Sequence, residues 1–129
     1  MTCLRVEFEK SDEVFEKIKT FISGLDENLQ FKVMLVCEEI ITNQIRHADF
    51  GGKTPDVRVC FDLKSQNGVV ILFKDNAKKF NLIKKEDPDI TKSLDDTKPG
   101  GLGIFLVKKY AKKLSFDYQN GYNTVEVEL

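Results

Sequence analysis

Carboxyl, amide and imidazole side chains recur every four residues in one segment of this 129-residue chain. Glu39, Asn43 and His47 have the i, i+4, i+8 spacing that places side chains on one face of a helix. A carboxylate there can accept a proton as a general base, and an amide oxygen can coordinate a hard cation such as Mg²⁺. A second line with the same spacing runs beside it: Glu38, Thr42 and Arg46. Spacing alone does not decide between the two lines, or between a site and a solvated polar stripe.

The second candidate is an acid that follows an apolar segment. Residues 69–73 are apolar throughout, and Asp75-Asn-Ala77-Lys-Lys-Phe80 follows almost directly. An ionised carboxylate only accepts hydrogen bonds, so Asp75 suits a ligand donor such as the exocyclic amino group of adenine. An ordinary Asx turn at a strand end explains the same residue. Both interpretations stay open at this point.

Glycines form the third candidate. Gly100-Gly101-Leu102-Gly103 runs into an apolar segment, and Lys98 stands just before it, where it adds positive charge. Glycine lets the backbone approach a phosphate closely, and a helix N-terminus presents free N–H groups with a favourable dipole. The spacing matches neither the Walker motif nor the dinucleotide fingerprint. A flexible turn before a helix explains the same glycines.

The hydrophobic pattern predicts the elements that must position these groups. Apolar and polar residues alternate, with the period of half-buried strands, at residues 4–8, 57–63, 114–118 and 125–129. The helical period predicts three helices: 11–24 with Ser11 as N-cap, about 28–48, and about 104–113. Asn67-Gly68 and Asn120-Gly121 are typical of hairpin turns. The apolar strand 69–73 should lie centrally, and residues 78–98 should form a long loop.

These elements favour an α+β fold. Two hairpins with unevenly placed helices predict a two-layer sandwich in which helices cover one face of a mixed, mostly antiparallel sheet. The length suits a single domain over residues 1–129. Both ends are patterned as strands, so a fragment of a larger protein is the less favoured interpretation.

Composition and charge exclude several classes of protein. Twenty Lys and Arg residues oppose 21 Asp and Glu residues, and this net charge of −1 supplies no global basic field for nucleic acid. No apolar run is long enough to cross a membrane, and no secretion signal is visible, so we expect a cytoplasmic protein. Cys3, Cys37 and Cys60 lack metal-ligand spacing and are expected to be free thiols. The single histidine, His47, argues against a zinc enzyme.

The order of the three motifs resembles that of the Bergerat-fold ATPases, the gyrase and histidine-kinase superfamily. Within it, the sequence looks like the anti-sigma-factor serine kinases. Glu39-Ile-Ile-Thr-Asn43 and Gly100-Gly-Leu-Gly-Ile-Phe-Leu-Val carry most of this resemblance, which covers nearly the whole chain. It implies that the fold binds ATP with Mg²⁺ under a lid formed by about residues 81–99.

The resemblance also implies roles for individual residues. Glu39 is the catalytic general base, Asn43 the Mg²⁺ ligand, and Asp75 the acceptor for the adenine amino group. His47 has a supporting role at the cofactor. The remaining cofactor-binding positions are Ala77, Phe80, Lys98, Gly100, Gly101, Leu102 and Gly103. Family members usually carry glycine where this chain has Ala77, which would cost on the order of 1 kcal/mol if a positive φ were required there.

The function implied by the resemblance is that of an anti-sigma factor with ATP-dependent serine/threonine kinase activity. Such a protein phosphorylates an anti-sigma-factor antagonist, sequesters a sigma factor otherwise, and forms a homodimer. No nucleic-acid or membrane partner is expected. The alternative is a regulatory module that binds ATP, or no nucleotide, and acts by sequestration without kinase activity.

Overall fold

A five-stranded antiparallel sheet carries three helices in the computed structural model, which describes residues 1–65, 67–84 and 101–129. The elements in chain order are β1 (Thr2–Arg5), α1 (Ser11–Phe21), α2 (Glu27–His47), β2 (Val57–Ser65), β3 (Gly68–Asp75), α3 (Gly101–Tyr110), β4 (Lys113–Gln119) and β5 (Tyr122–Glu128). Short 3₁₀ turns lie at Phe8–Lys10 and Leu82–Lys84. The predicted α+β class with one helical layer is therefore confirmed.

The strand order is β1-β2-β3-β5-β4, so the apolar strand β3 is central, as its composition predicts. Each described pairing is antiparallel, whereas a mixed sheet was expected. The second hairpin turns at Asn120 and Gly121, both with positive φ (54° and 82°), which suits the twist of the flanking strands. The first hairpin pairs Ser65 with Gly68, so Gly68 belongs to the strand rather than to the turn.

The core lies between the helical layer and one face of the sheet. On that face, Phe61, Ile71 and Val127 are paired neighbours across β2, β3 and β5, and all are essentially unexposed. From the helices, Ile18 of α1 and Ile40 of α2 are also fully buried. Burial of each such side chain contributes roughly 1.5–3 kcal/mol. This contact fixes α2, which carries Glu39, Asn43 and His47, relative to β3, which ends at Asp75.

Some predicted boundaries move for local reasons. Ser11 is the first residue of α1 rather than its N-cap, because residues 8–10 already form a 3₁₀ turn and Ser11 has helical φ and ψ. The cap of α2 is Asp26, whose carboxylate accepts from the Asn28 N–H at 3.1 Å. The third helix begins at Gly101 and ends at Tyr110, three residues earlier than predicted at each end. Strand β4 begins at Lys113, within the range predicted for the helix, because the Lys112 N–H already donates to the Glu128 carbonyl of β5.

The expectation of three free thiols is wrong for two of the cysteines. Cys3 of β1 and Cys60 of β2 are directly opposed in the register and form a disulfide. They are 57 residues apart in sequence, so their spacing could not predict that they form a disulfide. Cys37 is free and buried in α2, and burial raises the pKa of its thiol, which keeps it protonated and inert.

In the part of the chain that the structure describes, none of the helices combines the length and apolar character needed to cross a membrane.

Candidate functional site

Of the two lines of polar residues on α2, only the first contains a buried side chain: Asn43 is buried, Glu39 is half-buried and His47 is exposed. Asn43 is 1% exposed, whereas Glu38 and Arg46 of the second line point to solvent. The Asn43 amide donates to the Glu39 carbonyl one turn earlier, at 2.7 Å from Nδ2 to O. This bond restrains the Asn43 amide. Asn43 lines the same cavity as the predicted acid Asp75, and its amide oxygen is a neutral group able to coordinate a cation.

Asp75 ends the central strand and is 7% exposed. Its Oδ1 accepts from the Ala77 N–H at 3.1 Å and from Asn123 Nδ2 at 2.8 Å. Its Oδ2 accepts from Gln44 Nε2 at 3.1 Å. The contact with Ala77 is the Asx turn that the sequence left open, and the burial exceeds what a surface turn needs. A buried carboxylate with these neutral donors around it suits recognition of a ligand amino group.

Asn123 of β5 is a member of the site that sequence reasoning missed. Its Nδ2 lies 2.8 Å from Asp75 Oδ1, 3.2 Å from the Ala77 carbonyl and 3.0 Å from the Lys78 carbonyl. Its Oδ1 accepts from the Phe80 N–H at 3.0 Å. One amide therefore ties the segment after β3 to its neighbouring strand. The sequence did hold a signal for it. Asn123 lies two residues before the inward-facing Val125, so strand alternation places both on the same buried face, and Asn123 is 4% exposed.

Gln44 is the second residue that was missed. It follows Asn43 on α2, is 5% exposed and donates to Asp75. Its Oε1 has no hydrogen-bond partner among the described residues. The helical period could have indicated it, since Gln44 lies on the same buried face of α2 as Cys37, Ile40 and Ile41.

A cavity of about 20 Å³ lies between these groups, with room for about one water molecule. Its lining includes Asn43, Gln44, Asp75, Ala77 and Phe80, together with His47, Ala48, Phe73, Lys78, Leu82, Asn123 and Val125. The His47 ring stacks on the Phe80 ring with 5.0 Å between centroids and 16° between planes. The supporting role at the cofactor that the resemblance implies for His47 stays a prediction.

The start of α3 meets the predicted general base. Gly103 is buried, and a Cβ atom placed on it would overlap the Glu39 side chain, including its carboxylate. Only glycine allows this approach, which brings Glu39 against the first turn of α3. Unpaired N–H groups and the helix dipole favour negative charge there, whether from a carboxylate or from a phosphate.

The outcome differs for the other predicted positions. Ala77 is 2% exposed, and Asn120 is the only non-glycine residue with a positive φ in the described ranges, so the strain considered for alanine does not arise. Gly101 and Leu102 form the first residues of α3, and Lys98 and Gly100 lie outside the described residues. Of the predicted lid, residues 81–84 are described and Leu82 is buried, while 85–99 fall outside them.

The donor set fits a magnesium nucleotide. Asp75 supplies an acceptor for a base, Gly103 opens a helix N-terminus suited to phosphate, and Asn43 supplies a hard oxygen ligand between them. No group of three His, Cys, Asp or Glu side chains able to hold a metal ion exists within residues 1–65, 67–84 and 101–129. A Mg²⁺ ion at Asn43 would therefore depend on nucleotide phosphates for its other ligands, as is usual for this ion.

Two known proteins are similar to this chain. Serine/threonine-protein kinase BtrW of Bordetella bronchiseptica (strain ATCC BAA-588 / NCTC 13252 / RB50) is 26% identical over 95 residues, which span 74% of this chain and 66% of that protein. The histidine kinase domain of the blue-light activated histidine kinase EL346 from Erythrobacter litoralis has the same fold, with a TM-score of 0.57 and 11% identity. That match covers 92% of this chain and 61% of the other.

A family model agrees with the geometry. The model of the histidine kinase-like ATPase domain matches residues 8–129, which include β2 to β5, all three helices and every candidate residue named above. This chain therefore belongs to the histidine kinase-like ATPase domain family.

Proposed function

We propose that this protein is an ATP-dependent serine/threonine protein kinase that acts on another protein. Two observations carry the proposal: Glu39 lies against Gly103 at the start of α3, and Asn43, one turn further along α2, shares a cavity lining with Asp75 at the end of the central strand. The serine/threonine kinase named among the similar proteins supports the same reaction class. The chain spans about two thirds or less of the length of these relatives, so its activity is argued from its own residues.

Each residue has a distinct part in this proposal. Asp75 accepts the amino group of the base, and Asn43 holds the Mg²⁺ that neutralises charge on the phosphates during transfer. Glu39 receives the proton of the attacking hydroxyl. Gly101, Leu102 and Gly103 place backbone N–H groups at the phosphates.

The partners and setting also belong to the proposal. The acceptor is the hydroxyl of an anti-sigma-factor antagonist, and the second partner is a sigma factor that the protein sequesters. The chain forms a homodimer and works in the cytoplasm as a single domain over residues 1–129. This combination is supported by the near-neutral charge, which suits a protein that acts on proteins rather than on nucleic acid.

A matched pair of variants tests the reaction. Glu39→Gln should retain nucleotide binding and lose phosphotransfer by roughly 10²–10⁴-fold, since a general base contributes about that much. Glu38→Gln is the control, because Glu38 is the neighbouring carboxylate and is exposed. The assay incubates each protein with Mg-ATP and candidate antagonists from the same genome and reads the acceptor by intact mass. Transfer by Glu39→Gln at the wild-type rate would remove Glu39 as the base.

One observation favours a second candidate, a regulatory module that acts by sequestration without transfer. The cavity beside Asp75 is only about 20 Å³, and Gln44 donates to the same carboxylate that the base would use. Under this alternative the wild-type protein binds its protein partner with the same affinity in the presence and absence of millimolar Mg-ATP. Phosphorylation of an antagonist would rule the alternative out.

A further inference from the structure

A buried amide that is bonded at one end only lies beside the proposed base site. Gln44 is 5% exposed, and its Nε2 donates to Asp75 Oδ2 at 3.1 Å. Its Oε1 is buried and has no hydrogen-bond partner in the described part of the chain. Buried polar atoms are nearly always paired, so a single orphaned acceptor in this position calls for a functional explanation.

The bonded end of this amide has the chemistry of the ligand group that the site is proposed to read. An amide NH₂ and the exocyclic amino group of adenine are both neutral donors, and each can donate to a carboxylate. Gln44 therefore satisfies Asp75 in the way that a base would. Because Oδ1 already accepts from Ala77 and Asn123, an incoming amino group would be directed to Oδ2, where the Gln44 amide lies.

Volume leads to the same conclusion. The cavity that Gln44 lines holds about 20 Å³, close to the space of one water molecule and far below that of a purine. A base can reach Asp75 only if a lining side chain moves. Of the two side-chain amides that donate to Asp75, Gln44 is the better suited to move, because Asn123 would also lose its bonds to residues 77–80, whereas Gln44 would lose one bond.

We propose that Gln44 is a built-in competitor for the nucleobase, which lowers nucleotide affinity by occupying Asp75 until its side chain turns away. The closed arrangement leaves Oε1 unpaired, so turning allows that oxygen to gain a donor from solvent or from the base amino group. Residue 44 thereby sets both the affinity for the nucleotide and the preference for its base. This inference rests on the proposed nucleotide site.

The test compares Mg-ADP with magnesium tripolyphosphate, which has no base, by calorimetric titration. Removal of the competitor in Gln44→Ala should tighten Mg-ADP binding by about tenfold or more and leave the tripolyphosphate affinity unchanged. Gln44→Ser keeps a polar side chain and should also tighten Mg-ADP binding. It replaces the alanine variant in the test if that variant does not fold. Gln30→Ala is the control, because Gln30 is a hydrogen-bonded glutamine of the same helix, remote from the cavity.

The outcomes separate the inference from the function beneath it. Equal Mg-ADP affinity of wild type and Gln44→Ala would overturn the inference that Gln44 competes with the base, and would leave the proposed nucleotide site unaffected. Equal tightening of Mg-ADP and tripolyphosphate would also overturn it, because the effect would then not concern the base. Binding of Mg-ADP by none of the proteins would overturn the proposed nucleotide site itself.

Discussion

At the scale of single residues, the site depends on polar side chains placed in buried positions of otherwise apolar elements. Asn43, Gln44 and Asn123 all continue the inward phase of a helix or strand, where apolar residues are the rule. Sequence reasoning found Asn43 because its spacing from Glu39 suggested chemistry. It missed the other two because their role appears only when α2, β3 and β5 meet at Asp75. Buried polar groups need partners, and those partners are distant in sequence.

The close approach of Glu39 to Gly103 leads to a prediction at this scale. Gly103→Ala places a Cβ where the Glu39 side chain lies, so that side chain must turn away from the first turn of α3. We expect a lower melting temperature and weaker Mg-ATP binding, measured by thermal unfolding and calorimetry. Gly24→Ala is the control, since nothing lies within 4 Å of the added carbon and no positive φ is required there. An unchanged melting temperature and affinity in Gly103→Ala would contradict the contact.

At the scale of elements, alternation and helical period predicted four of the five strands, the three helices and the central place of β3. The first strand was expected at residues 4–8 but spans Thr2–Arg5, because Phe8 already belongs to a 3₁₀ turn. The boundaries were less predictable, because they depend on contacts between elements. The third helix ends at Tyr110 because the Lys112 N–H donates to the Glu128 carbonyl of β5. The 3₁₀ turn at residues 8–10 shifts the start of α1. The pairing of Cys3 with Cys60 follows from the β1–β2 register, which no local pattern reveals.

A tie between β5 and the start of β2 gives a prediction for pH dependence. The Tyr122 hydroxyl donates to Asp56 Oδ2 at 2.7 Å, and this bond is the main cause that lowers the pKa of Asp56. It also raises the pKa of Tyr122. The tie therefore stabilises the fold fully between about pH 4 and 10, the unfolded pKa values of the two groups. Stability is lost as pH falls through the lowered pKa of Asp56 or rises through the raised pKa of Tyr122.

Tyr122→Phe removes this tie. Its melting temperature should be lower than that of wild type at pH 7, and the difference should shrink as pH falls from about 4 through the lowered pKa of Asp56. Tyr118→Phe on the same hairpin is the control for loss of a hydroxyl. A difference of the same size at pH 7 and pH 3 would show that the hydroxyl does not act through the Asp56 carboxylate.

At the scale of the whole molecule, the candidate site is assembled from both halves of the chain. Asn43 comes from α2, Asp75 from β3, Gly103 from α3 and Asn123 from β5, so the site exists only in the folded protein. A ligand that binds only the folded state must stabilise it by an amount that grows with ligand concentration. The length of 129 residues accommodates this ATPase domain, and the proposed acceptor hydroxyl and sigma factor come from other proteins.

Calorimetric titration of Mg-ATP into wild type and Asp75→Asn tests the central claim, a nucleotide site built on the strand-end carboxylate. Wild type should bind one Mg-ATP per chain, and Asp75→Asn should bind roughly 10–100-fold more weakly, as expected for loss of a hydrogen bond to a charged group. Asp62→Asn, which alters a carboxylate paired with Lys64 at 2.7 Å, should bind like wild type, and thermal melts confirm that each variant is folded. No saturable binding by wild type at millimolar Mg-ATP, or equal affinity in folded Asp75→Asn, would contradict the account.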